Sequence, residues 1–178
     1  MNHSVTFALY ALTVAVTFIC LLTDLKAKRI YNKVTYSGIA AGIFANGWWV
    51  EADPYRGFKG CLFSLGCFGI LRALGCLAAG DVKLMAAVGS LLGIPFLLPA
   101  SFHILCVAAL LGLVALIWNG SFLTLLRGAG ISALSLLIPG VPVIALPKQR
   151  TLIPFAPAIF IGTAFTILQQ YFHWSAVI

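Results

Sequence analysis

Acidic residues are scarce in this chain: 178 residues carry four Asp and Glu against eleven Lys and Arg, and only 8% are charged while 62% are hydrophobic. That composition excludes the ordinary soluble globular class and identifies a polytopic membrane protein. Paired cysteines are also missing. Cys20, Cys61, Cys67, Cys76 and Cys106 fall within or beside apolar runs with no C-x-x-C spacing, which supports neither a metal site nor a disulfide framework and predicts buried small apolar side chains. No Lys or Arg precedes Lys26, so the first apolar run lacks the basic leader of a signal peptide and is expected to be a permanent span.

What is present is a series of long uncharged stretches: Met1 to Thr23, Val34 to Val50, Leu84 past Trp118, and Thr151 to Ile178. Each can cross a hydrocarbon layer of ~30 Å at about 17–25 residues per helix. The net charge of +7 lies in short loops between them. It reads as positive-inside retention of those loops, not as a nucleic-acid surface.

In order, spans are expected over about Val5 to Leu22, Val34 to Val50, Gly60 to Ala79, Val82 to Leu98, Phe102 to Trp118 and Leu152 to Phe172. Gly93-Ile94-Pro95 and Pro99 break the long run that starts at Leu84. Gly128 to Leu146, with Pro139, Gly140 and Pro142, is expected to be an interfacial or re-entrant cytoplasmic segment. The fold class is therefore an all-α polytopic bundle of about six transmembrane helices, one domain over 1–178, with both termini outside. Nine basic residues then face the cytoplasm (Lys26, Lys28, Arg29, Lys33, Arg72, Lys83, Arg127, Lys148 and Arg150) against Arg56 and Lys59 outside. Gly38-x-x-x-Gly42 and Gly89-x-x-x-Gly93 would allow close helix packing.

This topology places Asp24 at the end of a span entering the cytoplasm and Asp81 at the start of one leaving it. Glu51 and Asp53 fall on the other side. Two carboxylates at one depth from two helices suit an aspartyl protease, in which one activates water and the other protonates the peptide carbonyl. The plainer readings are a helix cap at either position, or pairing of Asp24 with Lys26 or Lys28. Gly80 is a flexible turn or a place of close substrate approach. Lys83 is an interface lysine or a field that keeps one aspartate ionised. His3, His103 and His173 sit near the outer ends and have no expected catalytic role.

Asp24 with Ile30-Tyr31-Asn32, then Gly80-Asp81-Val82-Lys83-Leu84, then Ile153-Pro154-Phe155-Ala156-Pro157-Ala158 together resemble the type IV prepilin peptidases, membrane aspartyl proteases of the Gly-x-Gly-Asp type. The resemblance implies that Asp24 and Asp81 are the catalytic pair, with Gly80 and Lys83 as supporting residues. It implies prepilin or pseudopilin substrates cut at the cytoplasmic face of a bacterial inner membrane, contacts with membrane lipids and other pilus-assembly components, and no cofactor.

Ala78 stands where the family motif has its first glycine, and Tyr31 where many relatives have proline. The cysteine-bearing extension of the bifunctional, N-methylating members is not expected, which points to the short members that serve tight-adherence (Flp) pili. A basic leader would be repelled by the cytoplasmic loops, so anionic headgroups are expected to hold it. The competing functions are a small proton-coupled transporter, and an inactive pilus-assembly factor on the same fold.

Overall fold

The computed structural model describes residues 3–49, 53–118 and 155–175. Among them are six α-helices and no strand: α1 His3–Ala27, α2 Asn32–Trp49, α3 Arg56–Ala73, α4 Ala79–Leu92, α5 Ile94–Trp118 and α6 Ala156–Ser175. Two are long and apolar enough to cross a bilayer, over Ser4–Ala27 and Ile94–Ala115. By contacts the chain divides into Met1–Ala108 with Pro154–Ile178, and Ala109–Ile153. In the second unit the described part is the end of α5. The segment from Gly128 to Leu146 falls outside the described residues, as do Glu51 and the Ile153-Pro154 half of the last motif.

The first unit is built around α4. At 14 residues and 1.5 Å per residue it is about 21 Å long, and it packs against α1, α2 and α3. From Asp81 to Leu92 it is buried throughout, Lys83 alone excepted. A helix apolar on every face has no solvated side to offer and belongs inside a bundle.

Small residues allow the close approach. A side chain at Gly42 would meet the Ser90 backbone at 2.6 Å, and one at Gly60 would strike the carbonyl of Gly89. Gly38 faces Ala87 and Val16. The glycine pairs read from sequence as packing positions therefore do pack, and Gly93, which lies against Gly60 and Arg56, has a φ of 76° that gives it a second task.

Gly93 ends α4, and α5 begins at the next residue. The helix expected to run to Leu98 stops at Leu92 because Gly93 takes a left-handed φ that other residues rarely adopt. Pro99 is no break; it lies inside α5, where it removes one early i→i−4 bond and the helix continues. The helix expected to reach Ala79 likewise stops at Ala73. There Gly75 at φ 79° closes a Schellman turn, with Gly75 N–H donating to the Arg72 carbonyl and Cys76 N–H to that of Leu71, both at 2.9 Å.

Polarity is arranged inside out. Thr13, Thr17, Thr35, Asn46, Ser64, Ser90, Thr163 and Thr166 are buried, while Phe7, Phe44, Phe102, Leu105 and Trp48 are exposed. The buried hydroxyls are satisfied mostly by carbonyls of their own helices, as Thr13 on Leu9 at 2.7 Å and Thr166 on Gly162 at 2.8 Å. An apolar exterior on this scale suits hydrocarbon surroundings and not water. It also corrects the expectation for the cysteines: Cys20 and Cys61 are buried, but Cys67, Cys76 and Cys106 are exposed, because an apolar residue has no reason to hide from lipid.

Candidate active site

Asp24 and Asp81 come to the same end of the first unit, and both are buried, at 9% and 6% exposure. Asp24 lies in the last turn of α1. Its Oδ2 accepts the N–H of Ala156 at 3.3 Å, across 132 residues of chain. Ala156 opens α6, where the first N–H groups have no partner inside the helix and the helix dipole favours an anion. Among the described residues no ion pair joins Asp24 to Lys26 or Lys28; the pair present is Lys59 with Asp53, exposed, at 3.1 Å.

Asp81 is the third residue of α4, ahead of the apolar run that starts at Val82. Its Oδ2 accepts the N–H of Ala78, the residue before the helix, at 3.1 Å. This is half of a capping box; the reciprocal half would need a side-chain acceptor at position 78, which a methyl group cannot supply. Each aspartate is thus held by a backbone donor at Oδ2. Burial pushes the Asp81 carboxyl up to about 6, the Ala78 N–H pulls it down, and the charge of Asp24 raises it further.

Ala78 has φ −81° and ψ 159°, extended backbone open to any residue. The conformational reason for wanting glycine there does not apply, and alanine begins this helix without strain.

Gly80 is neither a turn nor an open surface. It sits in the first turn of α4, and a side chain on it would come within 3.0 Å of Ile30 Cβ. The linker between α1 and α2 rests on that bare backbone. Lys83, two residues on from Asp81, donates to Asn32 Oδ1 at 2.9 Å and lies 5.0 Å over the Tyr36 ring. Its ammonium is directed to α2. His103 hydrogen-bonds Thr166 at 3.0 Å between α5 and α6. The side chains of His3 and His173 are outside the described set.

Both acids are legible in the sequence, but what holds them is not. The Ala78 donor had a signal, since an acid three residues after a helix start is half a capping pattern. The Ala156 donor had none, because a backbone N–H has no letter of its own. No group of His, Cys, Asp and Glu that could hold a metal occurs among the described residues.

The type IV leader peptidase family model matches residues 11–176, nearly the whole chain, and the chain belongs to that family. No curated protein and no solved structure matches it. Family and apolar helices together make it a membrane protein with a type IV leader peptidase-like function.

Proposed function

We propose that this leader peptidase is an aspartyl endopeptidase whose dyad is Asp24 and Asp81, and that it removes the leader from type IV prepilins or pseudopilins at the cytoplasmic face of the inner membrane. The observation that carries the reading is that two buried carboxyls, on helices far apart in sequence, come to one end of the first unit, where the chain after α1 packs on the start of α4, each held by a backbone N–H.

Water is activated between them. Asp24 takes a proton from the water as its oxygen attacks the peptide carbonyl, and Asp81, whose proton affinity burial raises, gives its shared proton to the carbonyl oxygen. The tetrahedral diol then collapses: one of its hydroxyl protons returns to Asp81, the C–N bond breaks, and the departing nitrogen takes up the proton gained by Asp24. One water is consumed; a new carboxylate and a new amine are released. The pair shares protons and titrates as a unit.

Six spans with both termini outside put the acid end in the cytoplasm, since the loop with Lys26, Lys28, Arg29 and Lys33 is at that end. The proposed activity is cleavage without N-methylation, as in Flp-type systems. Gly80 serves by admitting Ile30, and Lys83 by joining the start of α4 to α2. Anionic lipid headgroups hold the basic leader while the enzyme reads the apolar helix beyond it.

The test is expression in membranes with candidate Flp-type prepilins beside Asp24→Asn and Asp81→Asn. Processing by the wild type and by neither mutant is the expected result. Equal processing by either mutant sinks the dyad. Altered processing on changing the anionic lipid content checks the leader's attachment.

A further inference from the structure

α1 and α6 run side by side in opposite directions, and each carries buried threonines that bond within their own helix. Thr13 and Thr17 on α1 bond the carbonyls of Leu9 and Thr13, and Thr163 and Thr166 on α6 bond those of Ile159 and Gly162. Self-satisfied hydroxyls do not define a register. Two of the hydrogen bonds among the described residues cross from one helix to the other. Tyr10 Oη donates to Gln170 Oε1 at 2.7 Å, and Ala156 N–H donates to Asp24 Oδ2 at 3.3 Å.

The two crossings match in spacing. Fourteen residues separate Tyr10 from Asp24 on α1, and fourteen separate Ala156 from Gln170 on α6. At 1.5 Å per residue both intervals are about 21 Å, so neither bond strains the other. The Tyr10 ring is also seated against Phe96 of α5, 6.1 Å between centroids. The second residue of α6 is Pro157, which has no N–H, so Ala156 is the first donor this helix end offers.

We propose that α6 positions Asp24: the backbone N–H of Ala156 orients the carboxylate, and the Tyr10–Gln170 bond at the far end holds α6 in the register that makes this possible. The inference rests on the reading of Asp24 as half of the dyad. With Oδ2 fixed by Ala156, Oδ1 is the oxygen left to meet water, just as Oδ1 of Asp81 is left by the Ala78 bond. Ala156 and Tyr10 are positioning residues; neither touches the reacting atoms.

Ala156→Pro tests the donor alone, because proline at the first position of a helix is well tolerated and removes only the N–H. Ala156→Gly keeps the N–H and is the conservative control. With a cleaved prepilin in nanodiscs, Ala156→Pro is expected to lower kcat on the order of 10²-fold with little change in KM, while Ala156→Gly retains processing. Tyr10→Phe, which keeps the ring on Phe96, is expected to lower kcat less and again spare KM. Wild-type turnover in Ala156→Pro, or equal losses in the proline and glycine variants, overturns the donor's role; an unchanged kcat in Tyr10→Phe overturns the register role.

Site-resolved hydrogen exchange reads the contact without catalysis. The Ala156 amide is expected to exchange faster in Asp24→Ala than in the wild type, and equal rates overturn the proposal even if the proline variant fails to fold. A wild type that cleaves no prepilin, with the exchange difference intact, would refute the proposed function and leave the α1–α6 contact standing.

Discussion

The two ends of α4 are built by opposite means. At its C-terminal end the helix is clamped: Asn46 Nδ2 donates to the carbonyls of Ser90 and Leu91 at 2.9 and 3.1 Å, and Arg56 donates to that of Leu92 at 2.7 Å. Nearby, Ser64 reaches the carbonyl of Met85, and Gly60 lies against Gly89. Orphan carbonyls at a helix end buried in apolar surroundings must find donors, and here side chains of α2 and α3 supply them. The N-terminal end is held lightly, by Ile30 on Gly80 and by the exposed bond from Lys83 to Asn32, and it carries Asp81. One end spends its polar groups on stability, whereas the other keeps a carboxyl oxygen in reserve. The contrast teaches that the side-chain clamps on α4 lie at the end away from Asp81.

The sharpest break in that contrast comes from the acids. Asp24→Asn or Asp81→Asn is expected to reduce prepilin processing on the order of 10²–10⁴-fold without lowering thermal stability in detergent at neutral pH, measured by a cleavage assay beside a melting curve. The clamped end should behave in reverse. Asn46→Leu leaves the carbonyls of Ser90 and Leu91 without their donor and is expected to cost about 1–3 kcal/mol, seen as a lower Tm, while turnover per folded molecule is kept. A mutation there that lowered kcat without lowering Tm would erase the distinction between the ends.

Acidity gives a third comparison. The Asp81 carboxyl is raised by burial to about 6, so the folded state holds its proton more tightly than the unfolded chain does. The stabilisation is complete below the unfolded value of about 4, declines as pH rises, and is lost above about 6, a change of roughly 2–3 kcal/mol. Melting curves between pH 4 and 7 should show this slope, and Asp81→Asn should flatten it.

Gly80→Ala brings a methyl against Ile30 and is expected to cost about 1–2 kcal/mol, relieved in the double variant with Ile30→Ala; no relief would mean that the linker does not rest on α4. The smallest effect is expected from Asn32→Ala, about 0.5–1 kcal/mol for an exposed bond to Lys83.

Much of this was legible in the residues. Apolar runs and scarce charge imply helices in a membrane, and the spacing of basic loops is enough to put Asp24 and Asp81 at one face. Gly38, Gly42 and Gly89 were readable as packing positions because only a missing side chain permits such approach. Helix ends were less legible: Gly75 and Gly93 each stop a helix earlier than hydropathy suggests, since hydropathy averages over residues and a positive φ acts at one.

The sequence by itself therefore determined an all-helical membrane chain and the two acids it brings together, because hydrophobic length and charge are properties of residues. Only the tertiary structure decided what holds those acids. Asp24 depends on a backbone N–H 132 residues away, and Asp81 on the depth at which α4 is sheathed by its neighbours. A peptide N–H is the same in every residue but proline, and burial belongs to no residue alone, so both arise only when the helices pack together.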